Sequence, residues 1–295
     1  MQSTFDDPLD EHMPVDESNC DFVHGLIEQR LARGEFAVPL LPEVAIRVVR
    51  SRDSSNAQQL SDIINADPAL TMYVLRIAAS AAKRPATPIV SLSHAVAWLG
   101  FDEVANIAFT LALQGKMLDV PGQQHKARRL WRHSLASALW SRQLALMVAR
   151  ETGLSYLCGL LHNIGKTVTL GAAHELARQS RKELLGDDYE RLVETFHRGV
   201  AARVVAAWGL PPPILTVVTQ WEAYASADVA LFECNIVNVA HRLADCTLLE
   251  STHLARDLLI DDPAYRDLGL SPEDAIPLFD AAADINAELD RYLAP

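Results

Sequence analysis

Apolar residues recur at helical spacing along most of this chain, and no segment shows a convincing two-residue alternation. The first such stripe is Phe22, Leu26, Ile27 and Leu31. Gly34 follows where that helix would end. Ser54 or Ser55 is placed to cap the third predicted helix, and Asp67 followed by Pro68 is a strong start signal for the fourth. Hydrophobic residues make up 49% of the chain and aromatic residues only 6%. Because alanine and leucine favour helices, we predict an all-α protein.

Proline and polar stretches indicate where the chain divides. The first 19 residues hold six acidic residues and two prolines, and few apolar side chains interrupt them. Such a segment cannot bury enough apolar surface to fold by itself. We predict four parts: a disordered acidic tail (1–19), an N-terminal helical subdomain (20–120), a second helical subdomain (121–250) and a C-terminal helical appendage (251–295).

The formal net charge of −12 limits the classes of partner. General binding to nucleic acid or to an anionic membrane needs a positive field, so neither is expected. One dense basic cluster departs from this overall negative charge: Lys126, Arg128, Arg129 and Arg132. We interpret it as a solvated helix face, although a local patch can override the average charge.

Cysteine usage and apolar run lengths predict a cytoplasmic protein. The chain has four cysteines, and no two of them form a C-x-x-C pair. No apolar run approaches the roughly 20 residues of a membrane span. The acidic N-terminus also lacks the basic start and apolar run of a secretory signal.

Four histidines fall at similar places on successive predicted helices of the second half: His133, His162, His197 and His241. Helix bundles assemble metal sites from side chains on facing helices, and neutral imidazole is a good ligand for transition metals. A single histidine on a helix is also commonly a buried, hydrogen-bonded residue. Spacing alone leaves both interpretations open.

Three stretches of the chain together resemble one known family. They are 41–44 with 60–70, 91–100 with 104–113, and 159–166 followed by His197 and 207–211. The third stretch begins Gly-Leu-Leu-His-Asn-Ile-Gly-Lys. Over roughly residues 35–245 the chain resembles the HDOD family, a helical output module of bacterial signalling proteins related to HD-type metal phosphohydrolases. The resemblance implies an HD-like helical bundle with an N-terminal helical subdomain.

The resemblance also assigns candidate site residues. His133 lies where HD enzymes place their first metal ligand, and His162 matches the histidine of their paired His-Asp motif. The residual set is His133, His162, Asn163, His197 and His241, with Asn163 and His241 at positions where an aspartate is expected. Asp245 lies one turn after His241, and we expect it to substitute for the missing aspartate only if the helix shifts. Lys166 is a candidate phosphate contact or a solvated lysine.

Asn163 and His241, in place of the two expected aspartates, affect whether the chain could hydrolyse a phosphoester. Hydrolysis of a phosphoester by two metal ions needs a bridging anionic ligand, whereas an amide is neutral and a weak ligand for hard cations. No cofactor is therefore expected, and the residual set allows at most one divalent transition metal. The chain also lacks a P-loop, a G-x-G-x-x-G stretch, a G-x-S-x-G elbow, an EF-hand loop and an H-E-x-x-H motif.

These observations favour a non-catalytic signalling module that acts on signalling proteins through protein–protein contacts or through a small ligand. One alternative is a metal-dependent phosphohydrolase or phosphodiesterase of the HD superfamily. Another is a nucleotide- or metal-sensing receptor without turnover. Fold does not fix function, so all three remain open at the level of sequence.

Overall fold

The computed structural model describes residues 17–52, 54–79, 87–227, 231–248 and 259–293, and within these ranges the chain forms helices and no strands. The all-α prediction is therefore confirmed for the described residues. Most of the predicted acidic tail lies outside them. Helix α1 begins at Glu17, three residues earlier than the predicted start at Cys20.

Fifteen α-helices lie in the described ranges. The first six are α1 (Glu17–Ala32), α2 (Glu43–Ser51), α3 (Ala57–Asn65), α4 (Pro68–Ala79), α5 (Leu92–Leu99) and α6 (Phe101–Leu118). The next six are α7 (Gln124–Met147), α8 (Thr152–Leu161), α9 (Ile164–Gln179), α10 (Gly186–Trp208), α11 (Pro212–Gln220) and α12 (Leu231–Leu248). The last three are α13 (Pro263–Asp267), α14 (Ala275–Asp280) and α15 (Ala282–Leu293). Two 3-10 segments accompany them, Trp221–Ser226 and Pro272–Asp274.

Side-chain caps fix several helix starts. The Asp67 carboxylate accepts hydrogen bonds from the backbone N–H groups of Ala69 and Leu70, as its position in the sequence predicts. The prediction for α3 was wrong, because the cap is Asn56, whose side chain accepts from the N–H groups of Gln58 and Gln59. A cap must directly precede the first helical residue, and Asn56 does so.

The helices pack around one contiguous hydrophobic core, which runs from Cys20 to Tyr292 among the described residues. In the second half α7 packs against α8 and α12, and α9 packs against α10. In the first half α2 and α4 pack against α6, while α1 instead packs against α9 and α10. The C-terminal helices also join this core, since α13 contacts α12 and α15 contacts α7.

Two glycines of the 159–166 stretch allow the helices of the second half to approach closely. A Cβ atom on Gly165 would lie 1.9 Å from the His197 carbonyl oxygen of α10. A Cβ atom on Gly159 would lie 2.7 Å from the Ser137 carbonyl oxygen of α7. Because no larger side chain fits at either position, these glycines bring the α8–α9 junction against both neighbouring helices.

None of the helices in the described ranges combines the length and the apolar character that crossing a lipid bilayer requires.

Candidate functional site

His162 and Asn163 form the two-residue junction between α8 and α9. Both side chains are buried, with exposed fractions of 1% for His162 and 3% for Asn163. The close helix approach at Gly159 and Gly165 holds this junction in the interior of the bundle. The two polar residues of the stretch therefore face neighbouring helices rather than solvent.

The bundle brings three of the four predicted histidines together. One nitrogen from each of His133 on α7, His162 at the junction and His241 on α12 lies within 4.8 Å of the others. The His162 Nε2 atom is 3.1 Å from the His241 Nδ1 atom. We refer to these three residues as the histidine cluster.

Hydrogen bonds orient the rings of the cluster. The His162 Nδ1 atom lies 2.6 Å from the Gly159 carbonyl oxygen, which can only accept. We therefore assign the proton of a neutral His162 ring to Nδ1, which leaves Nε2 with a free lone pair directed at His241. Trp221 closes one side of the cluster, edge-on to His162 with ring centroids 5.1 Å apart.

Burial keeps two of these imidazoles neutral. Desolvation lowers the pKa of His162 well below its usual range, and the neighbouring His241 and His133 lower it further. Desolvation and His133 lower the pKa of His241 to about 4, against an opposing effect of Asp245. Both rings are therefore uncharged at neutral pH, which is the form that binds metals.

Asp245 on α12 contacts two rings of the cluster, and its ability to substitute for the missing aspartate stays a prediction. Its Oδ1 atom is 3.0 Å from His133 Nε2 and its Oδ2 atom is 3.6 Å from His241 Nε2. Residues one turn apart share a helix face, which is the signal that could have placed Asp245 here. Burial raises the pKa of Asp245, but its hydrogen bond to His133 and the nearby His133 and His241 outweigh that effect and lower it overall.

Asn163 contacts the cluster through its amide nitrogen. This Nδ2 atom is 3.3 Å from His133 Nδ1, and Ser137 Oγ is 3.4 Å from the same ring nitrogen. The Asn163 Oδ1 atom is buried and has no hydrogen-bond partner among the described residues. A buried acceptor without a hydrogen-bond partner is uncommon in proteins.

His197 and Lys166 lie outside the cluster. His197 is buried on α10, and its backbone carbonyl packs against Gly165. Burial lowers the pKa of its ring, partly offset by Glu222. Its inclusion in the residual set is not reproduced, because no His197 atom joins the metal-compatible group found among the described residues. Lys166 Nζ lies 3.6 Å from Glu194 Oε1 on the wall of the adjoining cleft.

A cleft of about 480 Å³ opens beside the cluster. Its lining combines cluster atoms with basic side chains: Arg129, Leu130, Arg132, His133, Asn163, Lys166, His241, Asp245 and Leu248. Two arginines of the basic stretch, Arg129 and Arg132, thus line the cleft, so the interpretation of that stretch as only a solvated helix face was incomplete. Arg129 lies one turn before His133 on the same helix, which was the available signal for that residue.

The residues present do not fit a two-metal centre. Such a centre needs a bridging carboxylate, and the junction offers the neutral Asn163 amide at the corresponding position. Among the described residues that line the cleft, the carboxylate is supplied by Asp245, which contacts the Nε2 atoms of His133 and His241. Three convergent imidazoles fit one borderline-soft ion instead.

Comparisons with known proteins agree with this fold. Among solved structures, a candidate metal-dependent phosphohydrolase from Shewanella amazonensis SB2B superposes with a TM-score of 0.71 at 21% identity, covering 92% of this chain and 99% of that one. An HDOD domain protein of unknown function from Geobacter sulfurreducens gives 0.71 at 22% identity, covering 95% and 99%. At these identities the likeness establishes the fold alone.

A sequence relative and a family model complete the comparison. An uncharacterized protein of Treponema pallidum (strain Nichols) is 24% identical over 192 residues, which is 61% of this chain. The match spans only 37% of that relative's length. The model of the HDOD domain matches residues 38–224, well over half of the sequence. Together with the helical bundle and the histidine cluster at its junction, this match shows that the chain belongs to the HDOD domain family.

Proposed function

We propose that the chain is a non-catalytic bacterial signalling module that acts by binding a partner protein. One observation carries the proposal: the two positions that supply aspartates in the HD pattern hold Asn163 and His241. The folded chain has a helical bundle with a cleft beside these positions, while the charge that the chemistry requires is missing at both of them.

Two-metal hydrolysis activates a water between two cations, and a carboxylate bridge offsets their repulsion. His162 and His241 are neutral here, and Asp245 lies at the outer edge of the cluster. A second cation would therefore meet no anionic bridge. This supports partner binding over a metal-dependent phosphohydrolase or phosphodiesterase.

A second candidate function is a receptor for a small anion, such as a nucleotide, without turnover. The cleft beside the cluster is lined by Arg129, Arg132 and Lys166, although the chain as a whole carries a net charge of −12. Cations that converge on a concave site favour phosphate groups. The cleft thereby supports a ligand that changes how the module meets its partner.

The enzymatic alternative is tested with the native chain and the Asn163→Asp/His241→Asp double variant. Hydrolysis of a chromogenic phosphodiester is measured with added Mg, Mn, Zn or Ni. We expect no turnover by the native chain, and any gain to be confined to the double variant. Metal-dependent turnover by the native chain that disappears in His162→Ala would overturn the proposal.

Partner binding and anion sensing are separated in the living bacterium. The transcriptional response to deletion of the gene is compared after complementation with the native chain and with an Arg129→Ala/Lys166→Ala variant. Restoration by both chains supports a partner-binding module that needs no ligand in the cleft. Restoration by the native chain alone supports the receptor. The folded state of the variant is checked by its thermal midpoint.

A further inference from the structure

We propose that the acidic segment 1–16 binds, within its own chain, to a basic groove that leads into the cleft beside the histidine cluster. This contact goes beyond the proposed function, which concerns the binding of other molecules. Three features support it: the unpaired cations of the groove, the place where the described chain begins, and the sequence of the segment itself.

The groove extends the cleft along the bundle. A second concavity, of about 340 Å³, lies between α7, α9 and α10. Arg129, Leu130 and Lys166 line both this concavity and the cleft, so the two are continuous. We call them together the basic groove. Its cations are Lys126, Arg129 and Arg132 on α7 and Lys166 on α9.

The two arginines of the groove are available to further carboxylates. Each lysine already faces one exposed glutamate, at 3.5 Å for Lys126 with Glu190 and at 3.6 Å for Lys166 with Glu194. Arg129 and Arg132 are exposed and form no ion pair among the described residues. Because a guanidinium group can hold a carboxylate through two parallel hydrogen bonds, this part of the groove favours an acidic occupant.

The described chain begins beside the mouth of the groove. Asn19 Nδ2 donates to the Glu183 carbonyl at 3.3 Å, which places the first turn of α1 against the segment that leads into α10. Lys126 Nζ donates to the nearby Gly186 carbonyl at 3.1 Å. Three residues of chain span at most about 11 Å, so the start of α1 and the mouth of the groove lie close together.

The sequence of segment 1–16 is complementary to the groove. It has five acidic residues and neither lysine nor arginine. Its two acidic pairs are flanked by single apolar residues, in the order Phe5, Asp6, Asp7, Leu9, Asp10, Glu11 and Met13. The groove likewise combines its cations with apolar surface from Leu130, Leu170 and Val193. Six residues span up to about 20 Å, so the acidic pairs can reach the groove from the start of α1.

Attachment to the same chain makes a weak contact sufficient. Exposed ion pairs are individually weak and are screened by salt. A segment joined to its site through a few residues nevertheless meets that site at an effective concentration in roughly the millimolar range. Several such ion pairs with a small apolar contact then keep the groove occupied, and a small anion or an acidic partner has to displace the segment to enter the cleft.

The test is zero-length carbodiimide cross-linking of the native full-length chain at low salt, followed by peptide mass spectrometry. The reagent joins a carboxylate to a lysine amine in contact with it. We expect the carboxylates of residues 6–11 to join Lys126 and Lys166. Lys182 is the control for mere proximity, because its Nζ atom lies 5.6 Å from the centroid of the Phe22 ring on α1 but outside the groove.

A pair of neighbouring variants tests the cations of the groove. Arg129→Gln should lower the yield of links from the segment to Lys166 roughly two- to fivefold, the effect expected from losing an exposed ion pair. Arg128→Gln is the matched control, since Arg128 is exposed on the same helix and lines neither part of the groove. The link between Lys166 and Glu194 should form equally in both variants and shows that the amine reacts.

Links within one chain are distinguished from links between two chains by mixing nitrogen-15-labelled and unlabelled protein before the reaction. The proposal is overturned if the segment does not join Lys126 or Lys166 while the glutamates beside them do. Links to Lys182 in equal yield, links mainly between chains, or the same yield in both arginine variants would also overturn it. No partner protein takes part in these measurements, so their outcome is independent of the proposed function.

Discussion

The charge state of the histidine cluster follows from where each ring sits. His162 is 1% exposed and has two further imidazoles beside it, so its protonated form is unfavourable. His241 faces His133, Asp245, Lys166 and Glu222, and burial still dominates the lowering of its pKa to about 4. A buried neutral histidine binds fewer protons in the folded chain than in the unfolded chain, and this difference links folding to pH.

The free energy of unfolding should therefore fall as the pH is lowered from about 6.5, the usual pKa of an unfolded histidine, towards pH 4. In this window the unfolded chain takes up protons that the folded chain does not. Each neutral histidine contributes a slope of at most about 1.4 kcal/mol per pH unit. Urea unfolding at pH 7, 6 and 5, with chelator present, measures this dependence of the unfolding free energy on pH.

The control for this prediction is His241→Gln, which removes one titrating ring from the cluster. Its unfolding free energy should depend less steeply on pH than that of the native chain between pH 6 and pH 5. Asp245 acts below this window, because its lowered pKa contributes stability that is lost only at more acidic pH. An equal slope in both chains would contradict the assignment of His241 as a neutral ring.

At the scale of the helix, the close approach of α9 to α10 depends on one missing side chain. Gly165 packs against the His197 carbonyl, so a methyl group there meets backbone rather than a flexible side chain. The sequence showed this glycine only as part of a resemblance. Its physical role depends on a contact with a helix about 30 residues later in the chain. A local sequence pattern carries no information about which distant helix packs against a residue.

Gly165→Ala should lower the free energy of unfolding by about 3 kcal/mol, because the two helices must separate to admit the new atom. The matched control is Gly199→Ala on α10, where the nearest atom to the new Cβ is Leu31 Cδ1 at 4.0 Å. That change should be neutral or slightly stabilising, since alanine favours helices. Chemical denaturation of both variants measures the difference; similar losses would contradict the assigned contact.

A second inter-helix contact joins the C-terminal helix to the rest of the bundle. Arg142 on α7 lies 2.5 Å from Glu103 on α6 and 2.7 Å from Glu288 on α15. All three side chains are mostly buried, and the sequence could not pair residues so far apart. The predicted C-terminal appendage is thus anchored to α6 and α7 through one guanidinium.

Arg142→Met should destabilise the fold by about 3 kcal/mol, because it leaves two carboxylates facing each other without their cation. Thermal unfolding measured at neutral pH provides the readout. Arg178→Met is the control, since Arg178 pairs with Glu175 on an exposed face and such pairs contribute little. If both variants shift the midpoint equally, the buried network does not anchor α15.

At the scale of the whole molecule, the sequence predicted the helices better than it predicted which of their side chains meet. His133, His162 and His241 were identified because they fall at similar places on successive predicted helices and match the resemblance. His197 was grouped with them on the same ground, and within the described residues it lies on α10 outside the histidine cluster. The contacts of Asp245 with His133 and His241 could not be predicted, because the reach of a side chain across a helix–helix contact depends on packing that only three dimensions define.

The distribution of charge over the molecule leads to a further prediction. With a net charge of −12, the chain should show no measurable binding to duplex DNA at physiological salt, even though Arg129 and Arg132 line the cleft. Fluorescence polarisation of a labelled duplex is the measurement. Binding that weakens steeply with added salt would show that the local patch overrides the average charge.

Trp221 gives the cluster an optical reporter of its own. Its ring lies edge-on to His162 and 4.5 Å from the His241 ring, and it is 5% exposed. An indole ring responds to a cation placed near its π-system, whether that cation is an imidazolium or a metal ion. The intrinsic emission of this residue, isolated by difference against Trp221→Phe, therefore follows the occupancy and protonation of the cluster in real time without any added label.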